Sequence, residues 1–290
     1  MNSSGMNVIL SSEACYKILR NYKWKYIFFL ANHDFPLKTN SELVKILKTF
    51  EDTPDFHSIV PPRVSRVNEK LDWTFRGLNL FKYNKLLKSK ILRKNITLAK
   101  GYSTITISRK TIDYIYNNFN LKIYQSYFLD DNHKYGNDEL YWQTLFSNYE
   151  VLKIPGTIPS HCINTTESYK SFTRYTHWNF KHKDKKICLS NNARRHGICL
   201  LGVEYLNTFE DLVHLFANKM MEWFDLSAID CWSERLFNRT YNQKLYKKLD
   251  LLPYKNKIQI RFQNYLKKSF NVSGFKCDGD LKETELKNNM

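Results

Sequence analysis

Apolar and polar positions fall in blocks along this chain, and the clearest block opens at Trp24. Tyr26 to Leu30 is a short apolar, aromatic run, long enough for a buried strand and too short for a membrane span. Ala31 to Lys38 is polar and carries an Asp-Phe-Pro turn, whose proline ends the strand. Thr39 then opens a helix. Thr39 and Glu42 have capping-box spacing, and Leu43, Ile46 and Leu47 follow on one face. Strand, polar loop and helix in this order present loop side chains at the end of a sheet strand.

The same pattern continues on both sides. Val8 to Tyr22 contains a helix, and the three prolines between Phe50 and Arg66 predict a loop. Lys70 to Lys94 interleaves bases and aromatics at mixed spacing, which leaves helix, strand and irregular loop open. Thr104 to Ile107 alternates as a strand. Ser108 to Asn117 reads as a capped helix with Ile112, Ile115 and Tyr116 inward. Asp138 to Asn148 is a further helix, with acids in its first turn where the dipole favours them. Glu150 to Ile158, Ser171 to Phe180 and Gly197 to Leu201 read as strands. Thr208 to Phe216 and Ser227 to Lys248 read as helices, and 270–290 as a mobile polar tail. Strands alternate with helices and there is no internal repeat, so the fold class is α/β.

Composition adds a partner question. The 290 residues are 42% hydrophobic, enough to bury a core, and carry a formal net charge of +17. Such a charge suits a nucleic acid, an acidic glycan, a nucleotide diphosphate or an anionic surface. The bases are spread along the chain, as on a solvated surface. The 19 Tyr and 19 Phe suit both a packed interior and surfaces that stack on sugars. Six cysteines form no CxxC pair, which argues against a zinc ribbon, and Cys188 and Cys199 flank a polar loop that a short disulfide would close. Sequons begin at Asn2, Asn95, Asn164, Asn238 and Asn271. No apolar segment is long enough to span a membrane, and the opening residues lack the basic and apolar regions of an export signal.

Glu139 is the candidate for chemistry. It sits just inside a predicted helix start after a polar loop, where a carboxylate can take a proton from an attacking hydroxyl. From spacing alone, Asp138 and Glu139 read mainly as charges serving the helix dipole.

The wording of several segments is more specific than their pattern. WKYIFFLANHDFPLKTNSELV resembles W-K-Y-x-I-N-L-x-G-Q-D-F-P-L-K-T-N-x-E-I-V, the mark of the core-2/I-branching β-1,6-N-acetylglucosaminyltransferases. The run Asp34 to Asn40 matches without a gap, and Asn32-His33 stand for the usual Gly-Gln. GNDELYW is similar to the family's S-P-D-E-Y-L-W, with Gly136-Asn137 for Ser-Pro. The upstream GYSTITISRKTIDYI is similar to its G-S-A-Y-F-V-x-S-R segment. HLFANKMMEWFDLSAIDC is similar to H-L-x-A-N-K-F-D-x-x-x-D-x-x-A-I-Q-C.

The resemblance implies a GT-A-like domain, incomplete at its N-terminus, over residues 1–250. It implies an inverting, metal-independent glycosyltransferase that moves N-acetylglucosamine from UDP-GlcNAc to an O-glycan in β-1,6 linkage. Glu139 would be the catalytic base. Lys219 and an arginine before Cys199 would meet the diphosphate. His196 holds the family's arginine position, so a small insertion would bring in Arg195 instead. Trp178 and Phe180 would line the acceptor sugar, and Asp72 stands where an acceptor-binding arginine is expected. The expected metal is none. Asp278-Gly279-Asp280 spells a metal-binding pattern but lies in the tail. No cofactor beyond the donor substrate is expected. Partners would be UDP-GlcNAc and a glycoprotein O-glycan, with no nucleic acid. The location would be the Golgi lumen, through a membrane anchor absent from this chain. The alternatives are a truncated inactive relative, a glycan-binding protein and a basic nucleic-acid-binding protein.

Overall fold

The computed structural model describes residues 5, 7–61, 66–83, 88–129, 136–165, 170–179, 188–242, 244, 246, 248–269 and 271–277. The chain forms two compact units. The first comprises Met1–Phe29, Asp52–Lys170 and Asn256–Met290, and the second Leu30–Glu51 and Ser171–Lys255. The expected span 1–250 therefore contributes to both. Strands and helices are mixed in each, the α/β class expected.

In the first unit, β1 (Tyr26–Phe29) pairs antiparallel with β3 (Ile105–Ser108), Tyr26 opposite Ser108 and Phe29 opposite Ile105. Every residue of β3 is buried. Asp55 extends this ladder by exchanging backbone hydrogen bonds with Thr106 at 2.8 and 3.0 Å. Ser108 then caps α4 (Arg109–Asn118), its hydroxyl accepting from Thr111 N at 3.1 Å, with Ile112 and Ile115 inward as their spacing requires. α1 (Val8–Leu19), α5 (Lys122–Phe128) and α6 (Tyr141–Phe146) pack around the same core. The described residues between Lys70 and Lys94 take the irregular option apart from the single turn α3 (Ser89–Leu92). Trp73, Phe75, Leu78 and Leu80 go into the core and Phe81 packs on it, while Tyr83 and the described bases face outward.

One strand expectation in this unit fails. Within 150–158 the chain is not extended: Tyr149–Leu152 is a helical turn, α7, followed by Lys153 at φ 51° and Gly156 at φ 81°. Its buried residues, Tyr149 and Leu152, lie three apart, which is helical spacing. α11 (Ile258–Leu266) packs Ile258 and Phe262 on Tyr149, Cys162 and Phe275, and Cys277 closes a disulfide to Cys162. Residues 271–277, expected in a mobile tail, are thus held by a buried ring and a crosslink. Residues 278–290, with Asp278-Gly279-Asp280, lie outside the described residues.

The second unit is built on a three-stranded sheet with β7 (Phe216–Asn218) in the middle. β2 (Phe35–Pro36) runs antiparallel to it and β4 (Arg174–Thr176) parallel. Two expectations change here. Phe35-Pro36 is an edge strand rather than a turn, a position where proline's missing N–H costs no ladder bond. The helix expected to Phe216 is α8 (Leu206–Asp211), because Phe216 to Asn218 are claimed by strands on both sides. The capping box forms as read. Glu42 N donates to Thr39 Oγ1 at 3.2 Å and Thr39 N to Glu42 Oε2 at 2.8 Å, opening α2 (Asn40–Thr49). α9 (Leu226–Tyr241) starts on an Asp225 cap and buries Trp232, whose indole donates to Pro36 O at 3.0 Å. α10 (Leu252–Lys255) completes the unit. Among the described residues no helix is long and apolar enough to cross a membrane.

Candidate functional site

In the first unit Glu139 ends a short 3-10 turn, Asn137–Glu139, rather than lying inside the helix. Gly136 starts that turn at φ 70°, where a side chain would be strained, and a Cβ there would collide with the Arg66 guanidinium. Arg66 Nη1 and Lys100 Nζ both meet Glu139 Oε2, Lys100 at 3.2 Å. Gly101 N donates to Glu139 O at 2.9 Å, which ties the turn to the Lys100 segment. Next to it, burial and the neighbouring Glu139 charge push the Asp138 carboxyl up to about 6, against hydrogen bonds from Ser103 and the backbone.

In the second unit a hairpin presents Arg195. β5 (Arg194–Arg195) pairs antiparallel with β6 (Ile198–Cys199), and the Cys188–Cys199 disulfide fastens its base as expected. His196 and Gly197 form the two-residue loop at φ 53° and 76°, both positive as such hairpin turns require. Ile198 faces Arg195 on one side and Trp178 on the other, so these three share one row across the strands. Trp178 is half-buried, and Phe180 lies outside the described residues.

Lys219 follows the central strand, after a cis Asn218–Lys219 peptide. Burial lowers its pKa first, and the Arg195 and Arg174 charges lower it further, with Asp34 opposing. The Asp34 carboxylate is fully buried. It accepts from Asn218 Nδ2 at 2.7 Å and Ala31 N at 2.7 Å, and it pairs with Arg174 at 3.6 Å. Burial raises its pKa, which Arg174 and those donors oppose. The structure thus sets Lys219 within reach of the Arg195 and Arg174 charges, with Arg174 paired to Asp34, an excess of positive charge suited to a diphosphate.

Arg174, Asp34, Arg66 and Lys100 were not singled out by the sequence. Asp34 carried a signal, the ungapped Asp-Phe-Pro-Leu-Lys-Thr-Asn run, but no role. The three bases carried none, being single charges in a base-rich chain. Among the described residues the one metal-type cluster is His161, Cys162 and Cys277, and its sulfurs are spent in a disulfide.

The family model described as Core-2/I-Branching enzyme matches residues 1–210. Among curated proteins the chain is similar to beta-1,3-galactosyl-O-glycosyl-glycoprotein beta-1,6-N-acetylglucosaminyltransferase 4 of Danio rerio. The two are 26% identical over 242 residues, covering 82% of this chain and 53% of that protein. A Bos taurus beta-1,3-galactosyl-O-glycosyl-glycoprotein beta-1,6-N-acetylglucosaminyltransferase is 26% identical over 228 residues, 74% of this chain and 49% of its own length. A human form numbered 3 is 27% identical over 217 residues, with shares of 73% and 48%. The chain spans about half the length of the curated relatives it matches.

Proposed function

The chain belongs to the Core-2/I-branching enzyme family, and from that footing we propose that it is an inverting glycosyltransferase. In this reading it moves N-acetylglucosamine from UDP-GlcNAc to an O-glycan in β-1,6 linkage. The family's fold is GT-A-like, and the described elements are of the matching α/β class. The acceptor hydroxyl oxygen attacks the anomeric carbon, its proton passes to Glu139, and the bond to UDP breaks on the opposite face. Arg195 and Lys219 take the charge that builds on the leaving diphosphate, with Arg174 beside them. Fixed cations of this kind act without a metal. Trp178 supplies an aromatic face for the acceptor sugar.

The observation that carries this reading is Lys219 lying within reach of the Arg195 and Arg174 charges, with buried Asp34 the one carboxylate opposing them. A partly desolvated ammonium kept beside two guanidiniums is costly unless an anion is meant to join them. Two disulfides suit an oxidising compartment, in line with a Golgi-lumen location. Spread-out surface bases give nucleic acid no such focus.

Calorimetric titration with UDP tests it. The protein should bind UDP, and Lys219→Ala and Arg195→Ala should each weaken binding roughly tenfold to a hundredfold, as loss of a charged hydrogen bond does. Absence of UDP affinity in the unaltered protein would sink the proposal and favour a glycan-binding role.

A further inference from the structure

The Glu139 carboxylate is held through one oxygen. Arg66 and Lys100 both bind Oε2, while Oε1 makes no hydrogen bond or ion pair among the described residues. The side chain is 30% exposed, so that second oxygen has access to a ligand. Both cations are themselves fixed from behind. Lys100 exchanges backbone hydrogen bonds with Ile59 at 2.9 and 2.7 Å. Gly101, which follows it, lies so close to the His57 carbonyl that a Cβ there would collide. Arg66 lies against Gly136, whose lack of a side chain makes room for the guanidinium. Gly136 stands where the resembling motif has Ser, so the substitution and the Arg66 contact go together.

We propose that Arg66 and Lys100 are positioning residues that pin Glu139 through Oε2 and reserve Oε1 as the atom that receives the acceptor's proton. This rests on Glu139 being the base. The Arg66 hydrogen bond and the Lys100 ion pair on one oxygen hold the carboxylate's orientation, and a base is effective only when its accepting lone pair meets the proton within hydrogen-bond reach. Neither cation contacts Oε1.

The test is steady-state transfer from UDP-GlcNAc to an O-glycan acceptor bearing a β-1,3-galactosyl group. It compares the unaltered protein with Arg66→Ala, Lys100→Ala, Arg66→Lys and Lys100→Arg. The alanine variants should lose kcat by roughly tenfold to a hundredfold, the cost of a misplaced group. Acceptor KM and UDP affinity should hold within a few-fold. The charge-keeping variants should retain most of the rate, and added guanidinium ion should restore part of it to Arg66→Ala. Unchanged kcat in both alanine variants, or a loss that neither conservative replacement nor guanidinium repairs, overturns the assignment while leaving the transferase reading intact. No transfer by the unaltered protein overturns the transferase reading, and this assignment with it.

Discussion

Asp138→Asn should make the protein more stable at neutral pH and no different in acid. The carboxyl of Asp138 lies beside Glu139, and burial plus that neighbour raise it from 3.8 to about 6. Each tenfold change in proton affinity is worth about 1.4 kcal/mol, so the whole rise corresponds to ~3 kcal/mol. Part of the side chain still meets water, and screening reduces the usable figure to about 1–2 kcal/mol. The sign follows from proton binding. Between the unfolded value and about 6 the folded state holds the extra proton, so stability falls as pH rises through that window. Above it, the ionised carboxylate is a net cost that asparagine removes while keeping the side chain's shape. Urea unfolding from about pH 4 to about pH 8 reads the difference in midpoint between the two proteins. Glu13 and Asp34, whose carboxyls burial also raises, are common to both and cancel. The expected curves meet in acid, separate as pH rises toward about 6 and stay apart above it. Parallel curves, or a variant less stable at neutral pH, would refute the reasoning.

Three more outcomes are expected. Lys257 and Asp55 form an ion pair at 2.6 Å with side chains 1% and 0% exposed. Lys257→Met should therefore cost about 3–5 kcal/mol in chemical unfolding, and Asp55→Leu in the same chain should recover most of it; a loss below about 1 kcal/mol would show the pair is not buried in solution. Thr39→Ala removes the hydroxyl half of the capping box and should cost about 1 kcal/mol, against no change if α2 is held by packing alone. Lys219 has its pKa lowered by burial, Arg195 and Arg174. UDP affinity should thus fall with rising pH sooner than an ordinary lysine would dictate, and Arg195→Ala should move that fall upward; a pH-independent affinity in alkaline buffer counts against Lys219 as a ligand.

What was legible in the sequence was local. The Thr39–Glu42 box and the Ser108 cap are written in side chains that bond within three residues, and both formed as read. β1 announces itself through an apolar run of strand length and β3 through alternation. The errors fell where distant chain decides. Phe216 ends an apolar helical pattern, yet Phe216 to Asn218 form the middle strand because β2 and β4, far away in sequence, pair on either side. Pro36 looked like a breaker because nothing local says that its strand is an edge. Glu139, Arg195 and Lys219 are candidates through motif wording. Arg174, Arg66 and Lys100 are isolated charges among 45 Lys and Arg, and only tertiary placement gives each its partner.

The central claim is that Glu139 takes the acceptor's proton in a transfer from UDP-GlcNAc. The direct measurement is sugar transfer by the unaltered protein and by Glu139→Gln, with UDP affinity measured on both. The account predicts transfer by the first, none by the second, and equal affinity for UDP. Undiminished turnover in Glu139→Gln would contradict it.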